Sequence, residues 1–253
     1  MKRTASQPFH LPDVFLSELP TGSVKTAVDT LGRMIARGEF AEGVTIPVEA
    51  ELCDMLGVSR TVVREATKVL SGKGMLRTAR RYGTRVLPFE SWNLLDPDVI
   101  AWHDPSSPAA TRIYAASTQM RMMVEPEAAN LAAQNASQAQ RDQILSAAQH
   151  IDPDPYGMDG MIAADYTFHA TILEATGNLI LAQLRGLILA LLQFSYSTGA
   201  KVVPEVKVNR QAHVDVALAI AAANPLEARR LMREMLTENR ETAEMIVKAN
   251  PGE

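Results

Sequence analysis

Apolar positions in the first third of the chain repeat at helical spacing in three short runs. Val24, Val28, Leu31 and Ile35 share one face of a helix over 23–37, and Gly38 stops it. Residues 48–56 place Leu52 and Leu56 on one face, and Gly57 ends that helix. Ser59 then stands where an N-cap is needed, ahead of a third helix that buries Val62, Val63, Ala66 and Leu70 and breaks at Gly72 and Gly74. From Met75 the helical spacing gives way to two short candidate strands, 75–78 and 84–87, around Tyr82-Gly83, which predicts a hairpin. Three short helices closed by a hairpin, with a tight turn at Gly57, predict a winged helix-turn-helix over 23–88. Residues 1–22 read as an irregular arm.

The pattern changes twice more. Residues 89–108 read as a linker with its own apolar anchors, punctuated by Pro97, Pro105 and Pro108. From 109 onward every periodic stretch is helical: 109–134, 138–149, 160–175, 178–198, 205–223 and 225–248, with Gly177-Asn178 and Asn224-Pro225 as the clearest breaks. The predicted architecture is mainly α: an N-terminal winged helix-turn-helix followed by a C-terminal antiparallel all-helical ligand-binding bundle over 109–248.

Composition narrows the classes. With 47% hydrophobic and 21% charged residues the chain is an ordinary globular one. Its single cysteine, Cys53, excludes an intrachain disulfide and fits a reducing cytoplasm. The N-terminus has no apolar run of signal-peptide length, and no stretch approaches the roughly 20 apolar residues of a membrane span. The longest candidate, Leu179 to Phe194, is broken by Gln183, Arg185 and Gly186. No membrane partner is expected. The net charge of −4 alone speaks against nucleic acid, but its distribution does not. Residues 1–90 hold 13 basic and 10 acidic residues, and residues 60–86 hold eight basic residues against one acid, Glu65. A local basic patch on an acidic chain is the electrostatic footprint of a DNA binder.

The basic residues sit where such a fold meets DNA. Arg60, Thr61 and Arg64 occupy the first turns of the third helix, and an arginine there can pair with guanine O6 and N7 or clamp a phosphate. Ser59 and Thr61 can cap the helix and donate to phosphates. Lys68 and Lys73 follow along the helix, and Arg77, Arg80, Arg81 and Arg85 cluster in the hairpin. For any single arginine, surface solubility is the alternative role.

A second constellation lies in the acidic helical half. Asp165 and His169 are four residues apart, hence on one helix face, and His213 falls on a later helix. Two imidazoles and a carboxylate can hold a divalent transition metal such as Zn with open positions. Arg121 lies among Met120, Met122, Met123 and Val124, a setting that suits a buried carboxylate. Metal and arginine together would bind a hydroxy acid. The alternatives are structural: an Asp-x-x-x-His pair as a surface pair, a satisfied His213, and an Arg121–Glu125 pair. A metal-dependent helical-bundle enzyme acting on a hydroxy acid is the rival reading. Against it stand the absence of a nucleophile motif, of an obvious acid–base pair and of a glycine-rich phosphate loop.

The stretch Gly57–Ala66 (GVSRTVVREA) resembles the operator-binding domain of the GntR family almost residue for residue. That resemblance implies a DNA-binding regulator rather than an enzyme, a homodimer on double-stranded operator DNA, with Ser59, Arg60, Thr61, Arg64, Lys68, Arg80 and Arg81 as DNA-binding positions. Two positions depart from the family pattern. Ala50 stands where the family often has an arginine, and Arg81 replaces the first glycine of the usual Gly-x-Gly-Thr wing. Residues 109–246 resemble the helical ligand-binding domain of the fatty-acid-regulator (FCD) branch through Arg121-x-x-x-Glu125-Pro126, Asp165-x-x-Phe168-His169, Gly177-Asn178 and His213. This implies an effector pocket of Arg121, Asp165, His169 and His213, with a metal held by Asp165, His169 and His213. The branch's last histidine ligand corresponds to Met235, a poor ligand for a hard or borderline ion. Trp92–Trp102 further resembles the galactonate-operon repressors of that branch, which implies a small sugar-acid effector such as an aldonate, with a hexuronate or another hydroxy acid as the alternative.

Overall fold

The computed structural model describes residues 20–79, 81–104, 107–202 and 209–249. The chain divides into two compact units between Ala110 and Thr111.

In the N-terminal unit, α1 (Ser23–Ala36), α2 (Glu49–Leu56) and α3 (Arg60–Gly72) precede the antiparallel strands β1 (Leu76–Ala79) and β2 (Gly83–Val86). Each helix exists for a local reason. The amphipathic α1 buries Ala27, Val28, Leu31 and Ile35. The Glu51 carboxylate accepts the Val48 N–H at the start of α2, and Gly57 ends α2 with φ +65°, a left-handed conformation that costs glycine nothing. The Ser59 hydroxyl caps α3 by accepting the Val62 N–H. Val63, Ala66 and Leu70 of α3 pack against α1, and Met75, Leu76 and Val86 extend the same core beneath the hairpin.

Residues 89–102, expected to link, are built into this unit. A 3₁₀ turn (Phe89–Ser91) leads to a short helix, α4 (Pro97–Ala101), capped by Asp96 and started by Pro97. Trp92, Val99 and Trp102 are buried in the unit's core. The indole of Trp102 lies flat on α1 at Gly32, where a Cβ would come within 2.7 Å of the ring. Its Nε1 donates to Asp29 at 2.9 Å. The buried Lys73 ammonium, just past α3, pairs with Asp96 at 2.5 Å and Asp98 at 2.8 Å.

The C-terminal unit contains α5 (Pro108–Asn135), α6 (Gln138–Gln149), α7 (Pro153–Glu174), α8 (Leu179–Gln183), α9 (Arg185–Val202), α10 (Arg210–Ala221) and α11 (Pro225–Ala249). The fold class is the expected one, a winged helix-turn-helix joined to an all-helical unit. Three boundaries differ from expectation; the helix expected over 205–223 starts at Arg210, and residues 203–208 lie outside the described residues. The helix α7 starts seven residues earlier than its apolar pattern, at Pro153, a residue suited to a first helical position. The single helix expected over 178–198 is two, separated at Leu184, whose N–H closes a tight i→i+3 turn on Leu181. Small residues let the helices approach: Ala128, Ala129, Ala132 and Ala133 of α5 and Ala163 and Ala164 of α7 are buried. Arg141 ties helix ends together, donating to the carbonyls of Ala133 and Ala136 at the end of α5 and of Ile220 and Ala221 at the end of α10. A cation there answers both unpaired carbonyls and helix dipoles. Among the described residues no helix is long and apolar enough to cross a membrane.

Candidate functional site

The residues expected to meet DNA occupy one helix and one hairpin. Ser59 caps α3, and Arg60, Thr61, Arg64 and Lys68 are all exposed along it. Arg64 is held: its Nε lies 2.9 and 3.0 Å from the two oxygens of Glu49 on α2, and the two charges stabilise each other, raising the arginine and lowering the glutamate. Lys68 pairs with Glu65 at 2.8 Å in full solvent, a contact of little energetic weight. In the hairpin Arg77 and Arg85 are exposed and face each other across the strands. Arg81 is exposed at the tip with φ +77°. Arg80 lies outside the described residues.

The helical unit gathers a buried polar cluster from four helices: Arg121 and Glu125 of α5, Asp165 and His169 of α7, Tyr196 of α9 and His213 of α10. All but Tyr196 are at most 6% exposed. The four-residue spacings that suggested shared faces produce real pairs. Arg121 Nε donates to Glu125 at 2.5 Å, and His169 lies 3.4 Å from Asp165. Burial works against the charges on Arg121 and Glu125, but their mutual attraction outweighs it. The arginine is raised, and Arg121 together with His169 brings Glu125 down to about 2. Burial, then the charge of Asp165, holds the Tyr196 phenol well above its ordinary value, so it stays neutral and donates to Asp165 Oδ2 at 2.7 Å. Phe168 stands edge-on to both imidazoles, with ring centroids 5.0 Å away in each case.

Tautomers follow from the partners. The Asn209 carbonyl, 2.8 Å from His213 Nδ1, can only accept, so that nitrogen carries the proton and Nε2 presents its lone pair. In its neutral form His169 Nε2, 3.1 Å from the Arg121 Nη2 donor, also presents a lone pair, while against burial Glu125 and Asp165 raise the pKa of the ring and favour its protonated form. Both Nε2 atoms converge on Asp165 Oδ1, at 3.2 Å from His213 and 3.4 Å from His169. That buried oxygen has no hydrogen-bond donor. With both imidazoles neutral, three acceptors face one another, an arrangement that a cation among them would stabilise in place of the His169 proton. Ligand atoms about 2.1 Å from a tetrahedral ion would stand about 3.4 Å apart, close to the 3.4 and 3.2 Å between the imidazoles and Asp165, and all three ligand atoms lie within 4.8 Å of one another. The donor set therefore fits a divalent transition ion. The Asn209 carbonyl orients His213, and the Tyr196 hydroxyl orients Asp165. Met235 is buried on α11.

Of the residues expected in the pocket, Arg121, Asp165, His169 and His213 are brought together. Glu125 was foreseen only as a structural partner of Arg121, yet it also lies 2.7 Å from His169 Nδ1. Tyr196 was not foreseen. A lone tyrosine in an apolar helix carries no spacing signal, and its partner is 31 residues away.

Comparison with known proteins bears on both parts. Residues 24–86 match the bacterial regulatory proteins of the gntR family, and residues 116–238 match the FCD domain. The chain is 33% identical to the galactonate operon transcriptional repressor of Escherichia coli, over 162 residues covering 62% of this chain and 68% of that one. It is 30% identical to the HTH-type transcriptional repressor NanR of Klebsiella aerogenes, over 82% of this chain and 80% of that one. Among solved structures, the Lar regulator of Listeria monocytogenes superposes with a TM-score of 0.63 at 16% identity, covering 90% of this chain and 99% of that one, which is a likeness of fold.

Proposed function

The chain belongs to the gntR family of bacterial regulatory proteins and carries an FCD domain, and on that premise we propose that it is a homodimeric repressor of a sugar-acid catabolic operon, released from its operator by an aldonate such as galactonate. It is a transcriptional regulator, like the relatives it matches, and not an enzyme. The observation that carries the effector reading is the buried Arg121–Asp165–His169–His213 cluster, a concentration of charge and lone pairs that only a polar, anionic ligand or an ion would reward.

In this reading the 23–88 region grips the operator and the 109–248 region senses the acid. Arg60 and Arg64 pair with base edges or clamp phosphates, Ser59 and Thr61 donate to phosphates, Lys68 follows along the helix, and Arg80 and Arg81 extend the grip through the wing. Asp165, His169 and His213 would hold a divalent transition ion, which when bound would supply a positive centre for carboxylate and hydroxyl oxygens. Arg121 clamps a further anionic oxygen. Its Nη2–H now satisfies the His169 lone pair, and that lone pair can serve the arginine or an ion but not both. Glu125 holds the guanidinium in orientation from its Nε side. Such a regulator works in the cytoplasm. The effector shifts the operator equilibrium only by its differential affinity for the free and DNA-bound states.

The test is a titration of duplex from upstream of the chain's own gene, with and without a panel of aldonates and hexuronates. Release by an aldonate is the expected result. Release by hexuronates alone would move the effector to that class, and specific binding that no acid disturbs would overturn the pocket assignment.

A further inference from the structure

Arg81 holds a backbone conformation that glycine adopts freely and arginine does not. Its φ of +77° is one of only two positive values at non-glycine positions among the described residues, while eight glycines share that region. The hairpin enforces it. The Tyr82 N–H donates to the Ala79 carbonyl at 3.1 Å, closing a four-residue turn with Arg81 at its third position, and Gly83 resumes the ladder opposite Ala79. Glycine would make this turn without strain. The Arg81 side chain has no ion pair or hydrogen bond among the described residues that could reward it, and it is exposed.

A second feature of the same hairpin is equally unrewarded within the fold. Arg77 and Arg85 are directly opposite on its exposed face, a like-charge cross-strand pair that destabilises a sheet, and neither has an acidic partner among the described residues. Arg85 instead lies 5.9 Å from the ring centre of Tyr82, which is 68% exposed. Strain at the tip and repulsion along the face are both costs in the free chain; a polyanion against the hairpin would screen the repulsion and, by contact with the projecting cation, offset the strain.

We propose that Arg81 inserts its guanidinium into the minor groove beside the site read by α3, and that it selects a narrow, A·T-rich flank there. This rests on the DNA-binding reading above. A projecting cation at the tip of a thin two-stranded ribbon suits that groove, whose negative potential deepens where A·T pairs narrow it. The preference it creates lies outside the bases that α3 can reach.

The experiment uses the full chain and a duplex enriched by the purified wild type from random DNA. Affinity is measured by fluorescence anisotropy on three versions of the flank: A·T, G·C, and inosine·cytosine, which keeps the A·T-like minor groove while changing the major groove. The wild type should bind the A·T and inosine·cytosine duplexes alike and the G·C duplex about tenfold more weakly. Arg81→Gly should lose about tenfold on the first two and become indifferent to the flank. It should also unfold a few degrees higher, since the strain is gone. An equal loss on all three flanks would reduce Arg81 to a phosphate contact and overturn the proposal, as would unchanged affinity. A lower unfolding temperature for Arg81→Gly would overturn the strain argument. Enrichment of no duplex by the wild type would instead overturn the DNA-binding reading beneath it.

Discussion

Individual residues carry the pocket, and they differ in how visible they are in a sequence. Asp165, His169 and Arg121–Glu125 announce themselves through i,i+4 spacing, because a helix turns that spacing into proximity. His213 is a candidate by residue type alone until the resemblance joins it to the pair, since nothing local ties it to Asp165, 48 residues earlier. Tyr196 had neither signal. Two predictions belong at this scale. Arg121→Lys and His169→Ala are expected to retain operator binding but lose release by the effector. The lysine keeps a charge beside Glu125, so loss of response there reflects the missing fork of donors rather than an orphaned carboxylate. Normal induction of both variants would remove them from the pocket. Met235→His is expected to tighten zinc binding about tenfold or more, measured by calorimetry on the metal-stripped chain, because an imidazole would complete a set now limited to three good ligands. An unchanged affinity would mean that α11 does not face the ion.

At the scale of elements, long patterns were legible and short ones were not. The helices α1, α3, α6 and α11 have both periodicity and terminal signals, and they lie within a residue or two of expectation. The five-residue α4 is too short for any period to register, so its Asp96-Pro97 start read as punctuation in a linker. The apolar run through α8 and α9 hid their separation, because the tight turn at Leu184 interrupts the helix without changing composition. Packing then decided what pattern could not. Trp102 on Gly32 and Lys73 between two aspartates bind residues 89–102 to the first three helices. Lys73→Met should destabilise this unit by about 3–5 kcal/mol, because it leaves two carboxylates close together and partly buried. Denaturant melts of wild type and variant read this directly, and a difference below about 1 kcal/mol would show the pair to be incidental. Burial opposes the charge on Lys73, but Asp96 and Asp98 outweigh it and raise its pKa. Its contribution is thus complete below the unfolded-state value of about 10.4 and lost as pH climbs through the higher folded value. The wild type should lose stability in that alkaline range more steeply than the variant.

For the molecule as a whole, the acidic half and the basic patch are separate units with separate chemistry, which is why a net charge of −4 is no obstacle to DNA. Dimer symmetry would pair two such patches and ask for a two-fold operator. Light scattering at micromolar concentration should return twice the chain mass, and the chain mass alone would count against a homodimeric repressor.

The chain's two tryptophans, Trp92 and Trp102, are both buried in the N-terminal unit. The helical unit has no tryptophan and contributes only tyrosine and phenylalanine to the near-ultraviolet spectrum. Indole emission is therefore a private optical channel to the operator-binding half, with the environment of Trp102 reporting on its seat against Gly32 and Asp29. An acid that binds the other half and changes that emission would reveal communication between the two halves with no DNA in the cuvette. An acid that binds without changing it would place the communication in motions that leave the indole seats undisturbed.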